Sequence, residues 1–388
     1  SAQNARQASK QMEVDKIFAS YNTHTPGCSV GVSQGGKLQL SAGYGMADLE
    51  RGVPIGPGTL FESGSIAKQF TAAALMLLEQ EGKLSLDDRL GKYLTELTGA
   101  PGGVTIRQVI SHISGLREWR PLATFGGRRE EDYVFSNQDL LEMAARQKAL
   151  NFDPGTAYSY SNTGYNISTI LMERAMGDGR TFQGFTQAKI FEPLGMSDTR
   201  WRDNFRTIVP GRALAYTRLA EGGFEQDTPI GNIIGAGGLL TTVGDLLKWN
   251  ENLAHARVGG PEFVKAQQKP AVLVGGKTIT YAAGLMVSKV DGMEEVAHSG
   301  ATGGYRTWMG RYPEHGVAVA VMCNSAQALP TVLGRQTARL WTGGGMKKPE
   351  VSRFALEPGQ IGAVAGMYRN LRSNLAVMMT VKDGRLLL

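Results

Sequence analysis

Hydrophobic and polar positions follow helical and strand patterns in turn along the N-terminal part of the chain. Residues 10–22 predict an amphipathic helix. The apolar runs Cys28–Ser33 and Lys37–Ser41 flank a Gly-rich turn and predict a β-hairpin. From Ile66 the apolar side chains recur at helical spacing until Gly82, a residue type that commonly ends a helix.

The middle of the chain is predicted to be helical, and the part after it returns to strands. Segments with helical spacing include Asp139–Gln147, Ile167–Ala175 and Val243–Leu253. The predicted strands that follow are Tyr281–Lys289, Glu295–His298, Gly304–Tyr312 and Gly316–Cys323, and a helix over Ala328–Trp341 comes next. This order predicts an α/β (α+β) domain over residues 1–342, with a helical insertion from about residue 85 to about residue 255.

The last 46 residues have a different pattern. Residues 343–358 contain three glycines, two lysines and two prolines, which predicts a linker. Residues 359–388 include two predicted strands, Met367–Asn370 and Leu375–Leu388, which would form a partial C-terminal β segment. Such a fragment cannot close a sheet of its own, so we expect it either to dock on the main body or to continue in a longer natural chain.

The composition is that of a folded protein without a membrane span. Of the 388 residues, 42% are hydrophobic and 20% are charged, which allows a large core and excludes disorder as a global description. No stretch approaches about 18 consecutive apolar residues, so we expect no transmembrane segment. The net charge is +6, but the basic residues are scattered rather than arranged in a stripe, so we do not expect nucleic-acid binding.

Two cysteines exclude a disulfide scaffold and a Cys-based zinc site. Cys28 and Cys323 both lie in β-like apolar runs, and we favour two separate buried side chains over a bridge between neighbouring strands. The chain starts at Ser1 rather than Met, which is compatible with a removed signal peptide, although none is visible. None of the five histidines has the spacing of metal ligands, so we expect neither a metal site nor a cofactor.

The segment Ser65-Ile66-Ala67-Lys68 is the only S-x-x-K in the sequence, and it coincides with the start of a strong helix. Residues three apart share a helix face, and backbone N–H groups at a helix N-terminus favour developing negative charge. A serine hydroxyl needs a base to take its proton, and Lys68 can be that base only if burial makes its amine neutral. The alternative is a helix-capping serine beside a solvated lysine.

A second motif, Tyr160-Ser161-Asn162, follows a Pro-Gly turn and is predicted to lie on a loop before a helix. Its tyrosine can relay a proton, and its asparagine can bind a substrate amide. The alternative is a turn whose aromatic side chains pack inward. A third motif, His298-Ser299-Gly300, ends a short β-like run, where small residues let a substrate backbone approach closely.

In these three ordered motifs the chain resembles the penicillin-binding-protein and class C β-lactamase superfamily of serine hydrolases, also called the S12 peptidase group. The resemblance runs from about Met12 to Trp341 and includes segments outside the three motifs. These segments are Ser111–Leu116, Phe152–Asn166, Glu192–Met196, Gly237–Leu239 and Asp245–Trp249. The resemblance implies a β-lactamase/transpeptidase-like fold, with an antiparallel sheet flanked by helices, an all-α region alongside, and the site between the sheet and that region.

The resemblance also implies roles for individual residues. Ser65 would be the acylated nucleophile, Lys68 the group that activates it, and Tyr160 the proton-relay partner. Asn162 would orient the substrate, and His298 would line the site and adjust its electrostatics. The backbone N–H groups of Ser65 and Ala301 would form the oxyanion hole, and Gly300 would let the substrate backbone approach closely. Arg306 is a candidate anchor for a substrate carboxylate, and the alternative that we favour is an exposed strand arginine without that role.

One departure from the β-lactamases bears on the substrate. Many of them carry a lysine in a K-T-G triplet where this chain has His298, and H-x-G resembles DD-peptidases and D-specific aminopeptidases or amidases. We therefore expect an acyl-enzyme hydrolase of amide or peptide bonds, with D-residue or other unusual peptides as candidate substrates. The alternatives are a promiscuous carboxylesterase, a β-lactamase, an acyltransferase and a penicillin-binding sensor without turnover. The resemblance further implies a periplasmic or secreted location, and it leaves the oligomeric state open.

Overall fold

The computed structural model of the chain describes residues 2–343, 358–369, 376–382 and 385–387. The chain divides into two compact units, Ser1–Met346 and Lys347–Leu388. The helices described in the first unit are α1 (Ala2–Ile17), α2 (Lys68–Gln80), α3 (Gly99–Gly103), α4 (Ile106–Ile110), α5 (Trp119–Phe125), α6 (Asn137–Ala145), α7 (Asn162–Met176), α8 (Phe182–Thr186), α9 (Glu192–Leu194), α10 (Val243–His255), α11 (Pro261–Gln267) and α12 (Pro330–Thr342). Short helical turns of other types lie at Gly64–Ala67, Leu90–Lys92, Gln187–Phe191 and Pro313–His315.

The strands of the first unit include a six-stranded antiparallel sheet in the order β10-β11-β12-β13-β1-β2. Its strands are β1 (Cys28–Gln34), β2 (Lys37–Tyr44), β10 (Met286–Val290), β11 (Met293–Thr302), β12 (Tyr305–Tyr312) and β13 (Val317–Cys323). The remaining strands are short: β3 (Met46–Asp48), β4 (Val53–Pro54), β5 (Phe61–Glu62), β6 (Arg200–Trp201), β7 (Tyr216–Arg218), β8 (Phe224–Gln226) and β9 (Leu239–Thr241). The predicted fold class, an antiparallel sheet with helices and an inserted helical region, is confirmed.

Helices cover both faces of the large sheet, and β13 shows this most clearly. All seven of its residues are buried, as expected for a central strand packed on both sides. Val317, Val319 and Val321 belong to a hydrophobic cluster that includes residues of α1 and α12. Ala318, Ala320 and Met322 point the other way, into a larger cluster with α2, α10 and the helical region. The segments Ser65–Lys68 and His298–Gly300 lie on this second side, at the junction of the sheet with α2.

The pairing of β1 with β13 overturns the expectation of two separate cysteines. Cys28 lies directly opposite Cys323 in this antiparallel pair, and the two side chains form a disulfide bond. Residues opposite each other in neighbouring strands point to the same face, which brings the two sulfur atoms together. Both residues are fully buried, as expected.

Several predicted boundaries also shift. The predicted strand Tyr281–Lys289 is shorter in the structure, where the strand β10 begins only at Met286. The residues before it are not part of the strand because Gly284 adopts a left-handed φ of +75° and its backbone packs on that of Lys68. The first helix ends at Ile17 rather than at residue 22. Asn162, predicted on a loop, is the first residue of α7.

The second unit contains α13 (Pro358–Ala363), β14 (Gly366–Arg369), β15 (Ala376–Lys382) and β16 (Arg385–Leu387). The strands pair in the order β14-β15-β16. In place of the single strand predicted over Leu375–Leu388, the structure has the two strands β15 and β16. Asn370, Leu375 and the interior of the predicted linker 343–358 lie outside the described residues. The predicted domain boundaries stay predictions. In the described part of the chain, no helix combines the length and apolar character needed to cross a bilayer.

Candidate active site

Ser65 lies in the helical turn Gly64–Ala67 that leads directly into α2. This turn packs against β11 through two glycines. A Cβ atom on Gly64, which has a left-handed φ of +53°, would lie 2.6 Å from the backbone N of Ala301. A Cβ atom on Gly300 would lie 2.9 Å from the backbone N of Ser65. The glycines therefore allow the two predicted oxyanion donors, the amides of Ser65 and Ala301, to meet at one junction.

Lys68, the first residue of α2, is fully buried and extends to Ser65. Its Nζ atom lies 3.1 Å from Ser65 Oγ, 2.7 Å from Asn162 Oδ1 and 2.9 Å from the carbonyl oxygen of Ala236. The amide and carbonyl oxygens can only accept hydrogen bonds, whereas the serine hydroxyl can donate or accept. A neutral amine has two N–H groups and one lone pair, so it can donate to both oxygens and accept the Ser65 proton.

The protonation state required for this arrangement follows from the surroundings of Lys68. Burial lowers the pKa of Lys68 well below its usual range, because a buried charge loses its hydration. The carboxylate of Glu118 opposes this and raises the pKa, and the guanidinium of Arg120 lowers it. The balance favours a neutral amine, which is the form that a general base needs.

Tyr160 lies beside the same amine, whose Nζ atom is 4.8 Å from the centre of the tyrosine ring. Burial raises the pKa of Tyr160, and the Ser65 hydroxyl lowers it only in part. The phenol is therefore protonated in the free enzyme and is suited to donate a proton. Lys68 rather than Tyr160 is the candidate base for the first step.

Asn162 is positioned by a residue that the sequence analysis missed. Glu118 Oε1 accepts a hydrogen bond from Asn162 Nδ2 at 3.0 Å, and Glu118 Oε2 accepts one from the Asn162 backbone N–H at 2.6 Å. The two residues are 44 positions apart, so no local spacing indicates the contact. The nearest sequence feature is the Ser111–Leu116 segment of the family resemblance, which ends two residues before Glu118.

The His298 side chain, which we expected to line the site, is buried. It is 5% exposed and lies near the middle of β11, not at the end of a strand. Its Nδ1 lies 2.6 Å from the carbonyl oxygen of Ser299, which can only accept, so Nδ1 carries the proton and Nε2 accepts from the Tyr281 hydroxyl at 2.9 Å. Burial, with a smaller effect of Lys68, lowers the pKa of His298 to about 4. His298 is therefore neutral at pH 7, unlike the lysine of a K-T-G triplet.

His112 is a second buried histidine near Tyr160, and the sequence analysis gave it no role. Its Nδ1 accepts a hydrogen bond from the backbone N–H of Ser161 at 3.1 Å, and its ring lies 4.1 Å from that of Tyr160. Its φ of +57° is unusual for a residue with a side chain. Burial lowers the pKa of His112 well below its usual range. This neutral ring thus supports the Tyr160–Asn162 turn from behind.

A cavity of about 680 Å³ opens at Ser65. The predicted site residues that line it are Ser65, Asn162, Ala301 and Arg306. The predicted site residues that do not line it are Lys68, Tyr160, His298 and Gly300. Arg306 is partly exposed, and its Nη1 donates to the backbone oxygens of Gly303 and Tyr305, which leaves other N–H groups for a substrate. Among the described residues, no group of His, Cys, Asp or Glu side chains is arranged to hold a metal ion.

Comparison with protein families and curated sequences places these motifs in context. The Beta-lactamase family matches residues 14–340 of this chain. A D-aminopeptidase of Gluconobacter oxydans is 30% identical over 320 residues, which cover 80% of this chain and 59% of that protein. Penicillin-binding protein 4* of Bacillus subtilis is 28% identical over 312 residues, which cover 76% of this chain and 67% of that protein. The chain thus spans about three fifths to two thirds of the length of these relatives.

Solved structures share the fold. The octameric penicillin-binding protein homologue from Pyrococcus abyssi superposes with a TM-score of 0.76 at 24% identity, covering 97% of this chain and 85% of that one. The D-amino acid amidase from Ochrobactrum anthropi SV3, in complex with L-phenylalanine amide, gives a TM-score of 0.70 at 23% identity. That match covers 86% of this chain and 97% of the amidase. At these identities the similarity establishes the architecture of the sheet and helices.

Proposed function

This chain belongs to the Beta-lactamase family, and from that premise we propose that it is a serine hydrolase that cleaves amide bonds through an acyl-enzyme on Ser65. The observation that carries the proposal is the contact of the buried Lys68 amine with Ser65 Oγ, together with its two bonds to carbonyl oxygens. These bonds direct the lone pair of the neutral amine at the serine hydroxyl. A serine with an adjacent, correctly oriented base is the requirement for nucleophilic catalysis.

The acylation step follows from this geometry. Lys68 takes the hydroxyl proton while Ser65 Oγ forms a bond to the substrate carbonyl carbon. The carbonyl oxygen becomes an oxyanion and accepts hydrogen bonds from the backbone N–H groups of Ser65 and Ala301. The C–N bond then breaks, and the leaving amine takes a proton from the phenol of Tyr160, which Lys68 reprotonates. The acyl group remains on Ser65 as an ester.

Deacylation uses the same groups in the reverse order. Lys68, a neutral amine beside the Tyr160 phenol, accepts one proton from a water molecule as the water oxygen attacks the ester carbonyl, and it then returns that proton to Ser65 Oγ. The bond between the acyl carbon and Ser65 Oγ breaks, Ser65 recovers its proton, and the acid product leaves. Asn162 and Arg306 line the cavity next to Ser65 and are placed to bind the substrate amide and any substrate carboxylate, respectively.

Amides of D-residues are the substrates that we propose. The support is the D-aminopeptidase of Gluconobacter oxydans and its 30% identity to this chain. The neutral state of His298 also fits, since it removes the fixed positive charge that a K-T-G lysine would offer to a β-lactam carboxylate. No feature of the site favours esters over amides, so carboxylesterase activity is not proposed as a second function.

An exported location is a further part of the proposal. The support is the buried disulfide between Cys28 and Cys323, because such bonds persist in the periplasm or outside the cell and are rare in the cytosol. Fractionation of cells that express the natural gene, with blotting of periplasm, medium and cytosol, tests this part. Recovery of the protein in the cytosolic fraction alone would overturn it.

The activity is tested with matched substrates. Purified protein is assayed with the p-nitroanilides of D- and L-alanine and with p-nitrophenyl acetate, alongside the Ser65→Ala variant. We expect turnover of the D-anilide that exceeds that of the L-anilide and is absent in the variant. Turnover of the ester alone would replace the amide hydrolase with an esterase, and a preference for the L-anilide would refute the proposed stereochemistry.

A further inference from the structure

Glu118 makes the contacts expected of a residue that controls the orientation of the Asn162 side chain. An asparagine amide has an oxygen that accepts and a nitrogen that donates, and rotation by 180° exchanges them. Here Oδ1 accepts from Lys68 Nζ at 2.7 Å, and Nδ2 donates to Glu118 Oε1 at 3.0 Å. The reversed amide would place its oxygen against the Glu118 carboxylate, where two acceptors repel each other.

The same carboxylate holds the Asn162 backbone. Asn162 is the first residue of α7, and the N-cap residue Ser161 makes no side-chain bond to the free N–H groups of that helix. Glu118 Oε2 supplies the missing acceptor at 2.6 Å from the Asn162 N. A carboxylate at a helix N-terminus is also favoured by the partial positive charge there. Glu118 therefore fixes both the main chain and the side chain of Asn162.

Glu118 is itself held by its place at the start of α5 and by Arg120. It is the N-cap residue of α5, and its Oε1 lies 3.4 Å from Arg120 Nη1. Arg120 in turn pairs with Glu130 at 2.7 Å. The carboxylate thus has a fixed position between the start of α5 and the start of α7, on the side of Asn162 away from Lys68.

We infer that Glu118 is a positioning residue for acylation: it orients Asn162 so that the Asn162 oxygen takes one N–H of Lys68 and the lone pair of the amine faces Ser65. The inference rests on the proposed function of Ser65 and Lys68. Without Glu118, the Asn162 amide can rotate and present a donor to Lys68. The amine then has to turn its lone pair toward that donor, away from Ser65.

Charge provides a second, measurable consequence. Glu118 raises the pKa of Lys68 against the effect of burial, so removal of its negative charge lowers that pKa further. The other titratable or charged groups around Lys68 are Arg120, Tyr160, Tyr165, His112 and His298. These groups are unchanged in a Glu118 variant, so the acid limb of the pH–rate profile, which reports protonation of Lys68, would move to lower pH.

The experiment measures the rate at which a fluorophosphonate phosphonylates Ser65 Oγ, with loss of fluoride, from pH 5 to pH 10, by intact-protein mass spectrometry. The variants are Glu118→Gln, Asn162→Ala and the double variant. The matched control is Glu173→Gln. Glu173 also accepts a hydrogen bond from the first N–H of a helix, that of Phe182 in α8, at 2.9 Å, but this bond involves no predicted site residue. Thermal unfolding is recorded for each variant.

We expect Glu118→Gln to slow labelling roughly 10- to 100-fold, since small displacements of reacting groups have effects of that size. Its acid limb should move to lower pH, and Glu173→Gln should label like the wild type. Because Glu118 orients the side-chain amide of Asn162, that part of its effect is lost in Asn162→Ala, so Glu118→Gln should slow labelling less in the Asn162→Ala background than in the wild type. Multiplied effects in the double variant, or wild-type labelling of a folded Glu118→Gln, would overturn the inference.

Two further outcomes are distinguishable. If the wild type is not labelled at Ser65, the proposed function fails and takes this inference with it. If the wild type is labelled and Glu118→Gln does not fold, Glu118→Asp is tested in its place. This variant keeps the charge but shortens the side chain by one methylene. Slow labelling of a folded Glu118→Asp supports the positioning role, and wild-type labelling refutes it.

Discussion

Gly300 packs directly against the carbonyl oxygen of Ser63: a Cβ atom at position 300 would lie 2.0 Å from that oxygen. The same atom would lie 2.4 Å from Thr307 Oγ1, which donates a hydrogen bond to Ser63 O at 2.7 Å. The turn that carries Ser65 is thus fixed to β11 by the backbone of Gly300 and to β12 by the side-chain hydroxyl of Thr307. The glycine of the H-x-G motif acts by allowing this contact, and not by a chemical group of its own.

Gly300→Ala is therefore expected to push β11 away from the turn and to misalign the oxyanion donors. Loss of one such donor typically lowers kcat by about 10²- to 10³-fold. Steady-state kinetics on the D-alanine anilide measure this effect. Gly275→Ala is the matched control, because a Cβ atom at Gly275 meets no atom within 4 Å. Equal kcat values for the two variants would refute the role of the Gly300 contact.

Lys68→Arg tests the neutral amine. Arginine has a similar reach, but it is positively charged at all ordinary pH values and cannot accept the Ser65 proton. We expect kcat to fall by about 10²- to 10⁴-fold, the range for loss of a general base. The wild-type rate should rise with pH as Lys68 loses its proton, and this rise should come well below the ordinary pKa of a lysine. An arginine variant with wild-type kcat would show that the lysine acts only through its charge.

Burial of His298 should make the free energy of unfolding depend on pH. Its folded pKa of about 4 lies below the ordinary value of 6.5, so the unfolded chain binds more protons between these values. The free energy of unfolding therefore decreases as pH falls from 6.5 to 4. Melting temperatures across this range should decline less steeply in His298→Gln than in the wild type. His24→Gln, which replaces an exposed histidine, should follow the wild-type curve, and identical slopes for all three would contradict the burial argument.

The Cys28–Cys323 bond should contribute to stability. It closes a loop between residues 295 positions apart and restricts the unfolded chain. Its removal in a Cys28→Ala/Cys323→Ala double variant is expected to lower the free energy of unfolding by about 2–5 kcal/mol. Urea unfolding with and without dithiothreitol provides the measurement. Reductant should destabilise the wild type alone, and an equal effect on the double variant would show that the bond is not the cause.

The sequence predicted well those features that depend on local spacing. Ser65 and Lys68 are one helical turn apart, so their proximity follows from the helix that starts there. The apolar run Gly316–Cys323 likewise indicated a strand, which the structure has as β13. The contacts that the sequence did not predict depend on tertiary structure. The pairing of Cys28 with Cys323 depends on strand register, and Glu118 and Asn162 are 44 positions apart in the sequence. His298 lies on a strand, as predicted, but its side chain is buried, does not line the cavity and contacts the hydroxyl of Tyr281, a residue 17 positions away.

The central claim is that Ser65 is the nucleophile. Its most direct test is incubation of the wild type and Ser65→Ala with a fluorophosphonate, followed by intact-protein mass spectrometry and peptide mapping. The account predicts a single adduct on the wild type, mapped to Ser65, and none on Ser65→Ala. An adduct that persists in Ser65→Ala, or one that maps to a different serine, would contradict it.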